Sequence, residues 1–313
     1  MRDAGPNEKN HTSVKAAFQG AVARASAATV RISADGQPAA LGAVVGADGY
    51  VVTKASVLGG ELKCRSEDGV EVAAEIVGVN ENYDLALLRV AADGLTPVAW
   101  RTDDVPPPGS LVATVGPGDT VLAVGVIGAD PRRIDGPTRP EGQRGWLGIG
   151  LGDGDAGLGI TMVFRGSAAE KAGLEVGDRV KSIDGVTMKS VDHVVETVGG
   201  HAFGDAIKLL IQRGEEEVEM AATLGKSRPR RDPKDSWGGG PFSPRRGGFP
   251  VGLPHDTVVH PDLCGGPLVD TDGNVVGINI ARALRVATYA IPADVVKEVL
   301  QDLQSGEPAA QKD

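Results

Sequence analysis

Short Val-rich runs, each closed by a glycine or another turn residue, recur along this chain and limit its fold more than any other feature. Residues 29–33, 40–45, 50–53, 61–65, 70–79 and 85–90 read as six strands, and Asp48-Gly49 between two of them is a tight hairpin signal. Six short strands with turn residues between them close most economically into a small antiparallel barrel. Runs at 110–115 and 120–128 begin a second barrel, which resumes at 249–259, 266–270, 275–281 and 287–291, with Asp272-Gly273-Asn274 as a hairpin turn. Thr12 or Ser13 is placed to cap an Ala-rich helix through Ser26. An amphipathic helix over 293–303 carries Val295, Val296, Val299, Leu300 and Leu303 on its apolar side.

The second barrel is interrupted. Residues 145–225 read as a compact mixed module, with strands at 146–151, 160–164 and 179–183, helices at 168–172 and 191–198, and a closing strand pair at 206–213 and 217–224. Residues 226–248 follow as a basic Pro/Gly-rich stretch with Lys226, Arg228, Arg230, Arg231, Lys234, Arg245 and Arg246; without a stacking pattern of aromatics, it reads as a solvated linker with Trp237 or Phe242 as an anchored point. The expected organisation is a polar tail over 1–13, a split domain over 14–135 plus 249–303, the module over 145–225, the linker over 226–248 and a polar tail over 304–313.

Composition removes several function classes. A chain of 313 residues has room for two or three domains, each with its own core. Its formal net charge of −10 argues against a general nucleic-acid binder. No run of about 18 apolar residues offers a membrane span. The two cysteines, Cys64 and Cys264, are too few for a disulfide framework or a cysteine-built zinc site, and no metal or organic cofactor is suggested. The first ten residues hold no apolar core of the kind a signal peptide needs, which leaves a cytoplasmic chain and a mature form without its leader both open.

Several motifs occur in a familiar order. Gly49-Tyr-Val-Val-Thr-Lys-Ala-Ser-Val-Leu58, Asp84-Leu-Ala-Leu-Leu88, Asp262-Leu-Cys-Gly-Gly-Pro-Leu-Val269, Asn274-Val-Val-Gly-Ile-Asn279 and Tyr289-Ala-Ile-Pro292 together resemble the trypsin-like protease domain of the HtrA/DegP family. Gly145-Trp-Leu-Gly-Ile149, Gly166-Ser-Ala-Ala-Glu-Lys-Ala-Gly-Leu174, Val176-Gly-Asp-Arg-Val180 and Ile183-Asp-Gly185 resemble a bacterial PDZ domain. The implied fold is mostly β: a trypsin-like double β-barrel with an α+β PDZ domain inserted in the second barrel. In the family's usual layout the PDZ domain follows the protease; here it precedes the nucleophile loop.

The resemblance implies a triad in the order His, Asp, Ser, and here those positions hold Ser56, Asp84 and Cys264. A serine hydroxyl does not accept a proton near neutral pH, so the general base is missing. The glycine expected two residues before the nucleophile, whose amide faces the developing oxyanion, is Asp262, and the residue between them is Leu263. Asp84 reads as a hydrogen-bonded relic held by Ser56, and Cys264 as a small apolar filler. His255 and His260 read as solvated loop histidines rather than displaced bases, and Lys54 as an exposed lysine rather than the partner of a Cys–Lys pair.

For the PDZ-like module, the resemblance implies that Trp146, Leu147, Gly148 and Ile149 form the carboxylate-binding loop. Val191, Val194, Val195 and Val198 are the candidates to wall an apolar side-chain pocket, and about half of them read as plain core. The expected function is an inactive HtrA-like pseudoprotease that binds peptides or protein C-termini ending in an apolar residue, as scaffold, adaptor or chaperone-like factor. The rival is an active endopeptidase using Cys264 as nucleophile. The family also implies a cell-envelope or periplasmic location and a possible homo-oligomer.

Overall fold

The computed structural model describes residues 9–305 apart from 93, 119, 155–156 and 227–239. The chain divides into two units, residues 1–134 with 232–313 and residues 135–231. No helix among the described residues is long and apolar enough to cross a membrane.

In the first unit, strands Thr29–Ala34, Gln37–Val44, Tyr50–Lys54, Leu62–Arg65, Glu71–Asn80 and Leu85–Val90 close into an antiparallel barrel. The strand between 50 and 54 pairs with the last of the set, Lys54 opposite Leu85, which brings residue 54 beside the chain entering that strand at Asp84. Gly49, at φ +95°, makes the preceding turn; a Cβ there would lie 2.4 Å from the Val90 carbonyl, so only glycine fits. A second sheet orders Thr120–Val126, Leu111–Gly116, Pro267–Val269, Val275–Leu284, Ala287–Pro292, Phe249–His255 and Arg132–Ile134. It closes on itself: Ile127 bridges His255, and the Gly128 amide donates to the Pro254 carbonyl at 2.8 Å.

The insertion leaves and re-enters this second barrel at hydrogen-bonded neighbours, since Ile134 pairs with Phe249 and Arg132 with Gly252. Paired strands lie about 4.8 Å apart, so an excursion between them adds a domain without stretching the barrel. The helix over Thr12–Ala27 is capped by His11, whose ring accepts from the Ser13 amide at 3.3 Å, in place of the expected Thr12 or Ser13. The helix Ala293–Ser305 buries Ala293, Val296, Val299 and Leu300.

The second unit is a sheet in the order Ile149–Gly154, Gly157–Val163, Arg179–Ile183, Ala206–Arg213 and Glu216–Thr223, with helices Ala168–Ala172 and Val191–Gly200. Gly145–Trp146 pairs separately with Gly225–Lys226. The Ser167 hydroxyl caps the short helix and Gly173 ends it in the left-handed region. Arg213 holds the Gly177-Asp178 turn through a two-point bond to Asp178, at 2.8 and 2.7 Å, and this guanidinium keeps the Asp178 carboxyl below its usual range.

Two expectations about solvation fail in the first unit. Residues 240–248 are not a free linker: Ser243 and Arg245 are buried, the Arg245 guanidinium held by the carbonyls of Asn82 and Gly248. The linker residues from 227 to 239, with Arg228, Arg230, Arg231, Lys234 and Trp237, lie outside the described residues. His255 is buried rather than loop-exposed, because it ends a barrel strand and its Nδ1 meets the Thr257 hydroxyl at 2.8 Å, itself 2.7 Å from the Thr114 hydroxyl.

Burial pushes the His255 imidazole down to about 3, against the opposing pull of Asp256 and Asn279. The folded state then binds the proton less readily than the unfolded chain, whose imidazole titrates near 6.5. Stability falls as the pH drops from about 6.5 toward 3, by roughly 4–5 kcal/mol over the full window. His255→Gln is expected to lose this part of the acid slope; denaturant unfolding of wild type and variant at pH 7.0, 5.5 and 4.5 measures it, and parallel slopes would contradict the assignment.

Candidate functional site

Strand pairing assembles the first site. Asp84 turns the chain into its strand from a left-handed conformation, φ +58°, which aspartate tolerates better than most residues, and its carbonyl accepts from the Ala55 amide at 2.8 Å. Its buried carboxylate accepts from the Ser56 amide at 2.6 Å and the Ser56 hydroxyl at 2.8 Å, with the Lys54 ammonium at 3.3 Å. Ser56 thus faces the aspartate and offers its side chain only a hydroxyl.

Lys54 departs from the expected exposed lysine: it is fully buried. An ammonium has three donors and no acceptor, and here they meet Asp84, the Ile280 carbonyl at 2.7 Å and the Arg245 carbonyl at 3.3 Å. With its donors engaged in this way, Lys54 is placed to balance the charge of Asp84.

Cys264 follows a 3-10 turn at Pro261–Leu263 and is completely buried. Its carbonyl is held by the Leu41 amide of the first barrel at 2.9 Å. Gly265, at φ +97°, is required beside it, since a Cβ would lie 2.2 Å from the Leu41 carbonyl. Burial raises the pKa of the thiol, partly offset by the Lys54 charge, the Ser243 hydroxyl and the Arg282 amide. Its hydrogen-bond contact is the Ser243 hydroxyl at 3.9 Å. The Cys264 amide, which an oxyanion would need, donates instead to the Pro261 carbonyl at 3.2 Å, and the Leu263 amide to the His260 carbonyl at 2.9 Å. The Asp262 carboxylate turns outward to the His260 ring at 2.5 Å.

The second site lies between the edge strand Ile149–Gly154 and the helix Val191–Gly200. A groove of about 220 Å³ is lined by Trp146, Leu147, Gly148, Ile149, Val194, Val195 and Val198, together with Pro137 and Arg144. Val191 does not line it; one turn earlier on the helix, it packs against the module's core. Gly148 sits at φ +83° with its α-carbon face against Ser167, where a Cβ would come within 2.2 Å. Val195 stands nearly half exposed at the lip, while Val194 and Val198 are buried in the wall. Sequence reasoning missed Pro137 and Arg144, which precede the recognisable motif, and Ser243 and Arg245, which sit in a stretch with the composition of a linker.

Comparison with known proteins agrees with this architecture. A family profile described as "Trypsin-like peptidase domain" matches residues 40–142, and one described as "PDZ domain" matches residues 145–224. Two curated relatives carry the name "Probable periplasmic serine endoprotease DegP-like". The protein from Hahella chejuensis is 22% identical, covering 61% of this chain and 58% of its own length. The one from Marinomonas sp. is 25% identical, covering 64% and 59%. The chain therefore spans about three-fifths of the length of these relatives. Among solved structures, the serine endoprotease from Yersinia pestis is 19% identical with a TM-score of 0.42, covering 67% of this chain and 98% of that one.

The buried pair gives a direct test of the first site. Lys54→Met leaves the Asp84 carboxylate buried without its cation and is expected to cost about 3–5 kcal/mol. Adding Asp84→Asn should restore much of that loss. Urea unfolding of the single and double variants measures it, and additive losses would show that the two charges do not act as a pair.

Proposed function

Because the chain is HtrA-like, a trypsin-fold protease relative carrying a PDZ domain, we propose that it is a catalytically inactive pseudoprotease that binds peptides through the PDZ groove. The observation that carries this reading is the closed cluster of Asp84, Ser56 and Lys54 beside a buried thiol. Acyl transfer needs a base for the nucleophile, a proton donor for the leaving amine and amides aimed at the oxyanion. Ser56 supplies no base, the donors of Lys54 are engaged, and the Cys264 amide is turned to Pro261. Losing one triad member alone costs several orders of magnitude in rate.

The PDZ groove keeps the parts that its counterpart has lost. An extended peptide adds to the edge strand Ile149–Gly154, its terminal carboxylate sits in the Trp146–Ile149 turn, and its last side chain enters the valine-walled pocket. The volume suits one aliphatic side chain, whose burial contributes about 1.5–3 kcal/mol. The ligand class is a protein C-terminus ending in Val, Leu, Ile or Ala, and the role that of scaffold, adaptor or chaperone-like factor. The periplasmic names of the curated relatives support a cell-envelope location.

The rival endopeptidase reading has one observation in its favour, the pull of the Lys54 charge on the Cys264 thiol. Casein digestion separates the two. Wild type and Cys264→Ala are expected to leave casein equally intact, and cleavage by wild type that disappears in the variant would overturn the proposal. In parallel, a fluorescent peptide ending in Val is expected to bind at least tenfold more tightly than its C-terminal amide, and Gly148→Val should abolish the binding. Equal affinity for both peptides would remove the groove from the account.

A further inference from the structure

Cys264 is covered by another segment of its own chain. The Ser243 amide donates to the Arg282 carbonyl at 2.9 Å, and the Arg282 amide donates to the Ser243 hydroxyl at 3.0 Å. That hydroxyl also covers the Cys264 sulfur. One residue of an added strand is thus paired to the strand Val275–Leu284, with the serine Oγ standing in for the carbonyl that a longer strand would present. The Arg245 carbonyl takes one of the three Lys54 donors.

Arg245 fastens this segment. Its guanidinium is buried and donates to the carbonyls of Glu81, Asn82 and Gly248, lying 4.8 Å over the Phe249 ring. Glu81 and Asn82 lead directly into Asp84, so the fastening reaches the loop that carries the site's only buried acid in contact with Ser56 among the described residues. A connecting loop normally runs over the surface, where water satisfies its backbone. This one is drawn inward by a guanidinium that exchanges its hydration for a set of directed bonds.

The sequence explains why the contact is short. Pro241 and Pro244 have no amide to donate, and Pro244 holds the residue before it, Ser243, toward an extended conformation, while Gly240 turns the chain at φ +81°. The segment is pre-extended for one paired residue and barred from becoming a full barrel strand. We propose that residues 240–248 are a built-in ligand of the protease-like cleft, a strap that pairs with Arg282, covers Cys264 and excludes other peptides while it is seated. The cleft accordingly accepts an extended segment with a small hydroxyl residue over the thiol and an arginine two residues later. This holds whether or not Cys264 can perform chemistry.

The test is the modification rate of Cys264 by iodoacetamide in the native full-length chain, mapped by mass spectrometry so that Cys64 serves as internal reference. Hydrogen exchange at the Ser243 and Arg282 amides is measured alongside. In wild type both amides are expected to be protected and Cys264 to react at least a hundredfold more slowly than a free thiol. Arg245→Ala should speed Cys264 at least tenfold with Cys64 unchanged, and a synthetic peptide of residues 240–248 at millimolar concentration should slow it again, since a tethered segment acts at about that effective concentration. Should Arg245→Ala fail to fold, Ser243→Gly removes only the covering hydroxyl and is expected to raise the rate in the same sense. Rapid exchange of the Ser243 amide in wild type would overturn the proposal. So would an unchanged Cys264 rate in a folded variant, equal acceleration of Cys64, or no protection by the peptide.

Discussion

The buried carboxylate of Asp84 is the constraint around which the protease-like unit is arranged. A carboxylate removed from water is tolerated only when paired and hydrogen-bonded. In a working triad an imidazole does that for it. Here the same oxygens are satisfied by the Ser56 amide and hydroxyl and by the Lys54 ammonium. Lys54 in turn needs acceptors for its other donors, and it finds them on the strand carrying Ile280 and on the incoming segment at Arg245. One buried carboxylate is thereby satisfied through contacts that reach across two barrels and a loop.

On the proposed reading, the fold is kept while its chemistry is lost. Gly265 still occupies its left-handed position, and Leu41 still holds the Cys264 carbonyl, as the tight turn between the barrels demands. Those features belong to packing. Around them Ser56 offers Asp84 a hydroxyl, the Cys264 amide is turned to the Pro261 carbonyl, and the Ser243 hydroxyl lies against the sulfur. In the PDZ unit the groove-forming turn, edge strand and helix are all in place.

Much of this was legible in the sequence because it rests on local signals. Val-rich runs and the Asp48-Gly49 turn mark the first barrel's strands, and the Ser167-to-Gly173 helix shows its own cap and stop. The pairing of Ser56 with Asp84 follows from the order of the motifs. What escaped depends on distant partners. Lys54 is a surface residue by type and becomes a buried one only because Asp84 and two carbonyls converge on it. His255 looks like a loop histidine until the strand it ends is closed against Ile127. Residues 240–248 share the composition of a flexible linker, and only the carbonyls of Glu81 and Asn82 distinguish Arg245 from a solvated arginine. Helical periodicity groups Val191 with Val194, Val195 and Val198, but it does not separate a groove wall from a core contact.

The central claim is that nothing in the site activates the nucleophile position, and the pH dependence of Cys264 alkylation in the wild-type protein tests it most directly. A covered, unassisted thiol is expected to react slowly at neutral pH, with its rate still rising above pH 9 and no plateau below that. A rapid reaction with an inflection below pH 7 would reveal a thiolate paired with a base, and would contradict the account.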